Sequence, residues 1–356
     1  MKFLTPVVVT GSPHDIGRQF GELARPAMDA YIAQSGAWRA VARWRGHPFV
    51  AELRRAAEAA FPALVAELDG IAAGLGWHAQ DVFVWNCRGE LIHNAPDGCT
   101  TLAACTPRER MIAHNEDGDP HLRGKCMLVD VRPDGKPGFV GFYYPGSLPG
   151  HTFAASRAGL VQTINNVRIR RPAAGVPRMI AARAVLDAAS LDDALRVLRD
   201  TPHASGFHHM LGCAGDARIV SVEASVARTS VLAVEGVYGH ANHLIHPGGD
   251  AEAQIVTASS ADRQARLAQL LPPLRGAADA SALWCVLADR AGGGLPIYRD
   301  DPDDPDDENT LATALFSIGD DGVAFEVRER GRVRFQQFVP RDAQRPPVHR
   351  HERGHA

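Results

Sequence analysis

The texture of the chain changes at a cysteine, and that change restricts the fold more than any other feature. Residues 13–93 carry helical spacing: Pro13 follows Ser12, a cap and then a proline in the first turn, and Asp15, Ile16, Phe20 and Leu23 continue at helical intervals. Residues 50–77 repeat apolar side chains three and four apart and are stopped by Gly74 and Gly76; a further helix is expected over residues 79–93. Residues 7–10 read as a first strand. From Cys99 onward the segments TTLAAC, RMIAHN, CMLVDVRP, GFVGFYY, HTFAAS and GLVQTI are short, β-branched or alternating, with PDGKPG as a hairpin loop. Two helices are expected next, over residues 177–189 and 191–199, the second capped by Ser190. Strands resume at HHMLGC, RIVSVEA and TSVLAV, helices near residues 261–271 and 281–288, and strands again at TLATALFSI, VAFEVRE and RVRFQQF. Strands bracketed by paired helices predict an α+β fold in which helical layers cover sheets.

Charge and cysteine use narrow the function classes. Charged residues make up 22% of the 356 and the net charge is -3, so no electrostatic footprint points to nucleic acid or an anionic membrane. The N-terminal MKFLTPVVVTGSPH is too short an apolar run to span a bilayer and lacks a small-residue cleavage pattern, so a cytoplasmic location is expected. The six cysteines are scattered, with no C-x-x-C pair, and neither a metal, a phosphate loop nor a dinucleotide motif is expected. No cofactor is therefore expected. DDPDDPDDEN, residues 300–309, reads as a solvated acidic loop, since it lacks the glycine and glutamate positions of a calcium loop. The tail RPPVHRHERGHA offers His349, His351 and His355 to a metal but reads as a polar, disordered end over residues 341–356.

Chemistry concentrates around Asp97-Gly98-Cys99-Thr100-Thr101. A thiol becomes a catalyst when something lowers its pKa or stands ready to take its proton. Cutting the Gly98–Cys99 bond supplies such a group, because the freed α-amine has a pKa near about 8 and lies within reach of its own thiol. Glycine at 98 tolerates the backbone that brings the Cys99 sulfur to the Gly98 carbonyl. Taken alone, the string also fits a buried, inert cysteine at a turn-to-strand junction. The turn TPRER, however, makes Met111–Asn115 the hairpin partner of the cysteine strand, which places Asp117 at that partner's end, near Cys99, where a carboxylate orients the amine. The other reading of HNEDGD is a polar loop.

Through these motifs the chain resembles the cysteine N-terminal-nucleophile (Ntn) hydrolases of the penicillin acyltransferase type, which cleave themselves before a Gly-Cys. The resemblance runs from about Gly11 to Phe338 through GSPHDIGRQFG, NCRGE, DGCTT, AHNED, LPGHTFAASRAGLVQTINN, GVPRMIAARAVLDAAS, SVEA and GHANH. It implies a four-layer αββα sandwich, a single domain over residues 1–340 cut into a small chain, 1–98, and a large chain, 99–356. It implies Cys99 as nucleophile, Asp117 as supporting carboxylate and Asn242 as oxyanion donor; a turn residue is the other reading of Asn242. Glu116 stands where the acyltransferase has tryptophan, and His-Asn-Glu-Asp with ASSADRQARL is similar to the branch containing insect N-β-alanyl-dopamine hydrolases. That branch implies hydrolysis of a small N-acyl or N-aminoacyl amide, with Glu116 offsetting a β-alanyl ammonium unless it faces solvent.

Asn165 and Asn166, at a strand end, line the pocket or form a turn. Arg178 is expected to cap or brace its helix, Arg88 and Glu90 to tie the small chain to the large one, and His208 and His209 to be satisfied core histidines. The expected partners are a small-molecule amide, the two chains of one precursor, and a further copy in a homo-oligomer. Acyl transfer to an amine or thiol is the alternative reaction, and a non-catalytic binding protein on an uncleaved chain is the alternative of another class.

Overall fold

Two β-sheets carry the molecule, and helices lie against both. The computed structural model describes residues 5–92 and 97–342. Strands are numbered in chain order. The first sheet has nine: β1 (Val7–Gly11), β4 (Met127–Pro133), β5 (Phe139–Tyr143), β6 (Phe153–Ser156), β7 (Leu160–Ile169), β8 (Gly206–Cys213), β9 (Ile219–Ala224) and β10 (Thr229–Ala233) in that order, with β12 (Gln254–Ile255) paired to β7 off this path. The second has six, in the order β11 (Gly236–His240), β2 (Asp97–Cys105), β3 (Arg110–Gly118), β13 (Asn309–Ile318), β14 (Gly322–Glu329) and β15 (Arg332–Pro340). The β1–β4 pair is parallel; the two pairings that flank the site, the β2–β3 hairpin and the long-range β2–β11 pair, are antiparallel.

The two sheets meet through side chains. Thr101 Oγ1 on β2 lies 3.2 Å from Thr163 Oγ1 on β7, and Phe153 of β6 packs edge-on against Phe316 and Phe325 of the second sheet. Helix α1 (Pro13–Ile32) contacts β1 and β4 and packs against α4 (Pro62–Leu75). Helices α7 (Arg178–Val185) and α8 (Leu191–Asp200) share an apolar cluster with Leu160, Leu211 and Val222 of the first sheet. On the second sheet, α9 (Ala258–Leu270) and α10 (Ala280–Leu287) bury Leu267, Leu283 and Leu287 against Leu102, Met111 and Leu315. Among the described residues no helix is long and apolar enough to cross a membrane.

The predicted element types hold, and the departures have local causes. The apolar run over residues 50–77 is two helices, α3 (Pro48–Ala60) and α4, because Phe61, ahead of Pro62, leaves helical geometry at φ -139° and ψ 62°. The helix expected over 79–93 breaks at Cys87 into α5 (Ala79–Asn86) and α6 (Arg88–Leu91), and His93 lies outside the described residues. Strand β11 was not expected. The acidic segment is a loop with most of its residues exposed, as expected, but Asp304 and Glu308 within it are buried, because they pair with the buried Arg299. The histidine tail lies outside the described residues.

Gly74 does not stop its helix. It sits inside α4, and with Gly70 it meets Gly17 and Gly21 of α1, so that the two backbones touch. A Cβ on Gly21 would overlap the Ile71 carbonyl and lie 2.6 Å from Leu75 N, both backbone atoms with nowhere to go. Gly21→Ala is therefore expected to destabilise the protein by about 1–3 kcal/mol, the range for overpacking a rigid contact. Gly36→Ala, where a Cβ meets only Arg39 Nη2 at 3.8 Å, should change stability by less than about 0.5 kcal/mol. Urea unfolding of both variants checks the difference.

Candidate active site

Pairing between β2 and β3 sets Gly98 opposite Asp117 and Cys99 opposite Glu116. The expected hairpin forms, and HNEDG is strand rather than loop. On the other side of β2, β11 sets His240 opposite Thr101, so Asn242, two residues on, comes level with Cys99. Asn242 Oδ1 accepts hydrogen bonds from the Cys99 backbone N at 2.9 Å and from Arg263 Nη2 at 2.7 Å. Its Nδ2 donates to the Asn166 carbonyl at 3.0 Å, and its backbone N donates to Ser260 Oγ at 2.9 Å. Strand β2 runs continuously through Gly98 and Cys99, so this is the geometry of the uncut chain.

Helix α9 delivers a residue that the sequence reading missed. Thr257 caps it, and its first turns bring Arg263, braced by Ser259, to Cys99 and Ser260 to Asn242. Arg263 is buried; it donates to the Cys99 carbonyl, to Thr100 Oγ1 at 2.9 Å and, through Nε, to Ser259 Oγ at 3.1 Å. Burial draws its pKa down while Asp117 and Glu308 act to raise it. The arginine lies in ASSADRQARL, but a contact across more than a hundred and fifty residues leaves no local sign.

Asp117 is buried beside Gly98. Its Oδ1 accepts from Thr310 Oγ1 at 2.6 Å, across a bulge between Thr310 and Ala312, and its Oδ2 has no hydrogen-bond partner among the described residues. Burial pushes its carboxyl pKa up, against the pull of Arg263. Glu308 is the second missed residue. Its Oε2 rests so close to Gly98 that a Cβ there would overlap it, while Arg299 and Arg168 hold its two oxygens. Glycine is thus required at 98 by a pinned carboxylate.

Below Cys99, hydrogen-bond polarity can be followed atom by atom. Asn165 Nδ2 donates to the His240 carbonyl at 3.0 Å, which turns Oδ1 towards Thr101. The Thr101 hydroxyl donates to that Oδ1 at 2.6 Å and so has no hydrogen left for His114. His114 Nδ1, 2.8 Å from Thr101 Oγ1, must therefore donate, and its Nε2 carries a lone pair 3.0 Å from Glu116 Oε2. Burial pulls the His114 pKa down to about 3, which favours the neutral ring. Two acceptor atoms 3.0 Å apart are reconciled by a proton shared between them. Cys99 Sγ lies 3.9 Å from the same Glu116 oxygen.

Glu116 is thus buried beside Cys99 and does not face solvent. Asn165 and Asn166 lie within β7, Asn165 in the network beneath Thr101 and Asn166 carrying Asn242. Arg178 braces the first sheet rather than its own helix: it donates to Asn166 Oδ1 and to the carbonyls of Val167 and Gly206, and stacks 4.5 Å over Phe207. Glu90 receives the Arg178 backbone N at 2.9 Å, and Arg88 reaches Ser147 and Met179, so both tie the first hundred residues to the rest. His208 and His209 are buried and hydrogen-bonded. A surface groove lined by Phe61, Leu64, Asp187, Arg196 and Pro202 contains none of these residues.

Glu308 gives a pH prediction. Burial raises its pKa from the ordinary 4.5 to about 7, against the pull of Arg168 and Arg299. A carboxyl whose folded pKa is raised contributes fully below its unfolded pKa, and the contribution is lost as pH rises through the folded one. The loss between about pH 4.5 and pH 7 amounts to roughly 3 kcal/mol at most. Glu308→Gln should therefore flatten the decline in wild-type stability over that window, measured by urea unfolding at several pH values. Equal slopes would mean that Arg168 and Arg299 keep the carboxylate ionised.

Comparison with known proteins follows the same line. A family described as acyl-coenzyme A:6-aminopenicillanic acid acyl-transferase matches residues 105–331, a span that holds Asp117, Asn242 and Arg263 and begins just after Cys99. A beta-alanyl-dopamine/carcinine hydrolase of Drosophila melanogaster is 28% identical over 229 residues, 55% of this chain and 57% of the relative. The chain thus spans little more than half the length of that curated relative. Since the family match covers well over half of its residues, the chain belongs to the acyl-coenzyme A:6-aminopenicillanic acid acyl-transferase family.

Proposed function

We propose that the chain is a self-cleaving cysteine Ntn amidohydrolase, with its two sheets and their helices forming a four-layer αββα sandwich. The observation that carries this reading is the Cys99 backbone N held on Asn242 Oδ1, with Glu116 and Asp117 opposite Cys99 and Gly98. Cys99 Sγ attacks the Gly98 carbonyl, the C–N bond breaks, the nitrogen gains a proton, and water releases residues 1–98 from the thioester. The large chain, from Cys99, then carries an amine and a thiol on one residue. Asn242 keeps the amine in place, and the buried Asp117 Oδ2 accepts one of the hydrogens that cleavage adds to it.

In turnover the amine takes the thiol proton and the sulfur attacks the substrate amide. The second hydrogen of Asn242 Nδ2 meets the developing oxyanion, the protonated amine gives its proton to the leaving nitrogen, and water hydrolyses the acyl-enzyme. The Drosophila relative's name supports a β-alanyl acyl group. Glu116 Oε2 and His114 Nε2 now lie 3.0 Å apart; a substrate ammonium would displace the proton they share, part the two side chains and donate to both. Transfer of the acyl group to a second amine is the other reading, favoured by the description of the matching family; an added amine that captures the acyl group in place of water identifies it.

The test compares a β-alanyl amide with the matching propionyl amide, which has the same length and no charge. A charge-assisted hydrogen bond of about 1.5–3 kcal/mol predicts that Glu116→Gln lowers kcat/KM on the β-alanyl amide by about one to two decades and spares the propionyl amide. Using both substrates with both proteins cancels general damage to the site. Equal loss on both substrates would make Glu116 a support for Cys99, and no loss on either would place the ammonium elsewhere.

A further inference from the structure

We propose that Cys99, His114 and Glu116 form a three-ligand site for zinc, through which the metal reversibly blocks the nucleophile. One ligand atom from each lies within 4.8 Å of the other two, and all three residues are buried. Cys99 Sγ is 3.9 Å and His114 Nε2 is 3.0 Å from Glu116 Oε2. Tetrahedral zinc, with Zn–S of about 2.3 Å and Zn–N or Zn–O of about 2.0–2.2 Å, spaces its ligand atoms about 3.3–3.7 Å apart. Small shifts of opposite sign, well within the reach of side-chain torsions, bring both distances into that range.

The hydrogen bonds already suit a metal. His114 presents an unprotonated Nε2 because its Nδ1–H is committed to Thr101, whose hydroxyl is committed to Asn165. This second shell fixes tautomer and ring plane as it does around zinc-bound histidines. A thiolate with an imidazole and one carboxylate favours zinc over calcium or magnesium, which take all-oxygen sets. Three protein ligands leave a fourth position for water or, once the chain is cut, for the Cys99 α-amine. On binding, zinc replaces the thiol proton and the proton between His114 and Glu116; both pass to the buffer and no atom changes oxidation state. Binding requires neither cleavage nor a known substrate, so the inference stands apart from the proposed amide chemistry.

Cobalt(II), whose spectrum reports its ligands, is the probe. Titration of the full-length protein should give a thiolate-to-cobalt charge-transfer band with tetrahedral d–d bands at one metal per chain, displaced by zinc. His114→Asn and Glu116→Gln should each weaken binding at least about tenfold, and Thr101→Val by about ten- to a hundredfold. Replacing His349, His351 and His355 together by alanine should leave the bands unchanged. Wild-type affinity in both His114→Asn and Glu116→Gln would reduce the site to the cysteine alone and overturn the proposal. So would a spectrum without a thiolate band, or one lost with the tail histidines.

Discussion

The register of a single hairpin decides what Cys99 meets. Side chains alternate along a strand with a period of two, so a slip of one residue between β2 and β3 would put Asp117 or Asn115 opposite Cys99 in place of Glu116 and reverse every facing. The pairing is held from both sides. β11 fixes β2 by setting His240 opposite Thr101, and β13 fixes β3 until the bulge at Leu311, where Thr310 is freed to reach Asp117. Bulges concentrate where a strand must re-aim a side chain, and this one aims a hydroxyl at the carboxylate beside Gly98.

Around that register the site is built from buried charge. Arg263 and Arg299 lie almost wholly out of solvent and are joined through Ser259, one reaching the Cys99 carbonyl and the other Glu308. Buried ions are stable only when paired and hydrogen-bonded, and removing one partner leaves the other stranded. The two arginines and the carboxyls of Asp117, Glu308 and Asp304 therefore form a set that fixes the backbone on both sides of the Gly98–Cys99 bond. Arginine suits this role because its planar fork makes several bonds at once.

Much of this was legible because it is local. Helical and strand periodicities, the Ser12 and Ser190 caps, and the short TPRER turn that brings Asp117 back to Cys99 all act over a few residues. The hairpin made Cys99, Glu116 and Asp117 readable as a group, and GHANH marked Asn242. Contacts between distant segments were not legible. Arg263 and Glu308 reach the Gly98–Cys99 bond from far along the chain, and Glu308 was hidden in an acidic run that reads as solvated until its buried arginine partner is seen. Strand β11, GVYGH, is five residues with two glycines and shows its strand character only through β2. Gly74 reads as a helix stop by composition, whereas its role is to let two helices touch.

The central claim is that Cys99 is the nucleophile that frees its own amine, and the ends of the purified protein test it most directly. Intact-mass measurement with N-terminal sequencing should find a large chain beginning Cys-Thr-Thr-Leu-Ala and a companion ending at Gly98, while Cys99→Ala stays a single chain. A wild-type protein that hydrolyses its substrate and yet remains one uncut chain would contradict the account, because Cys99 would then have no free amine to take its proton.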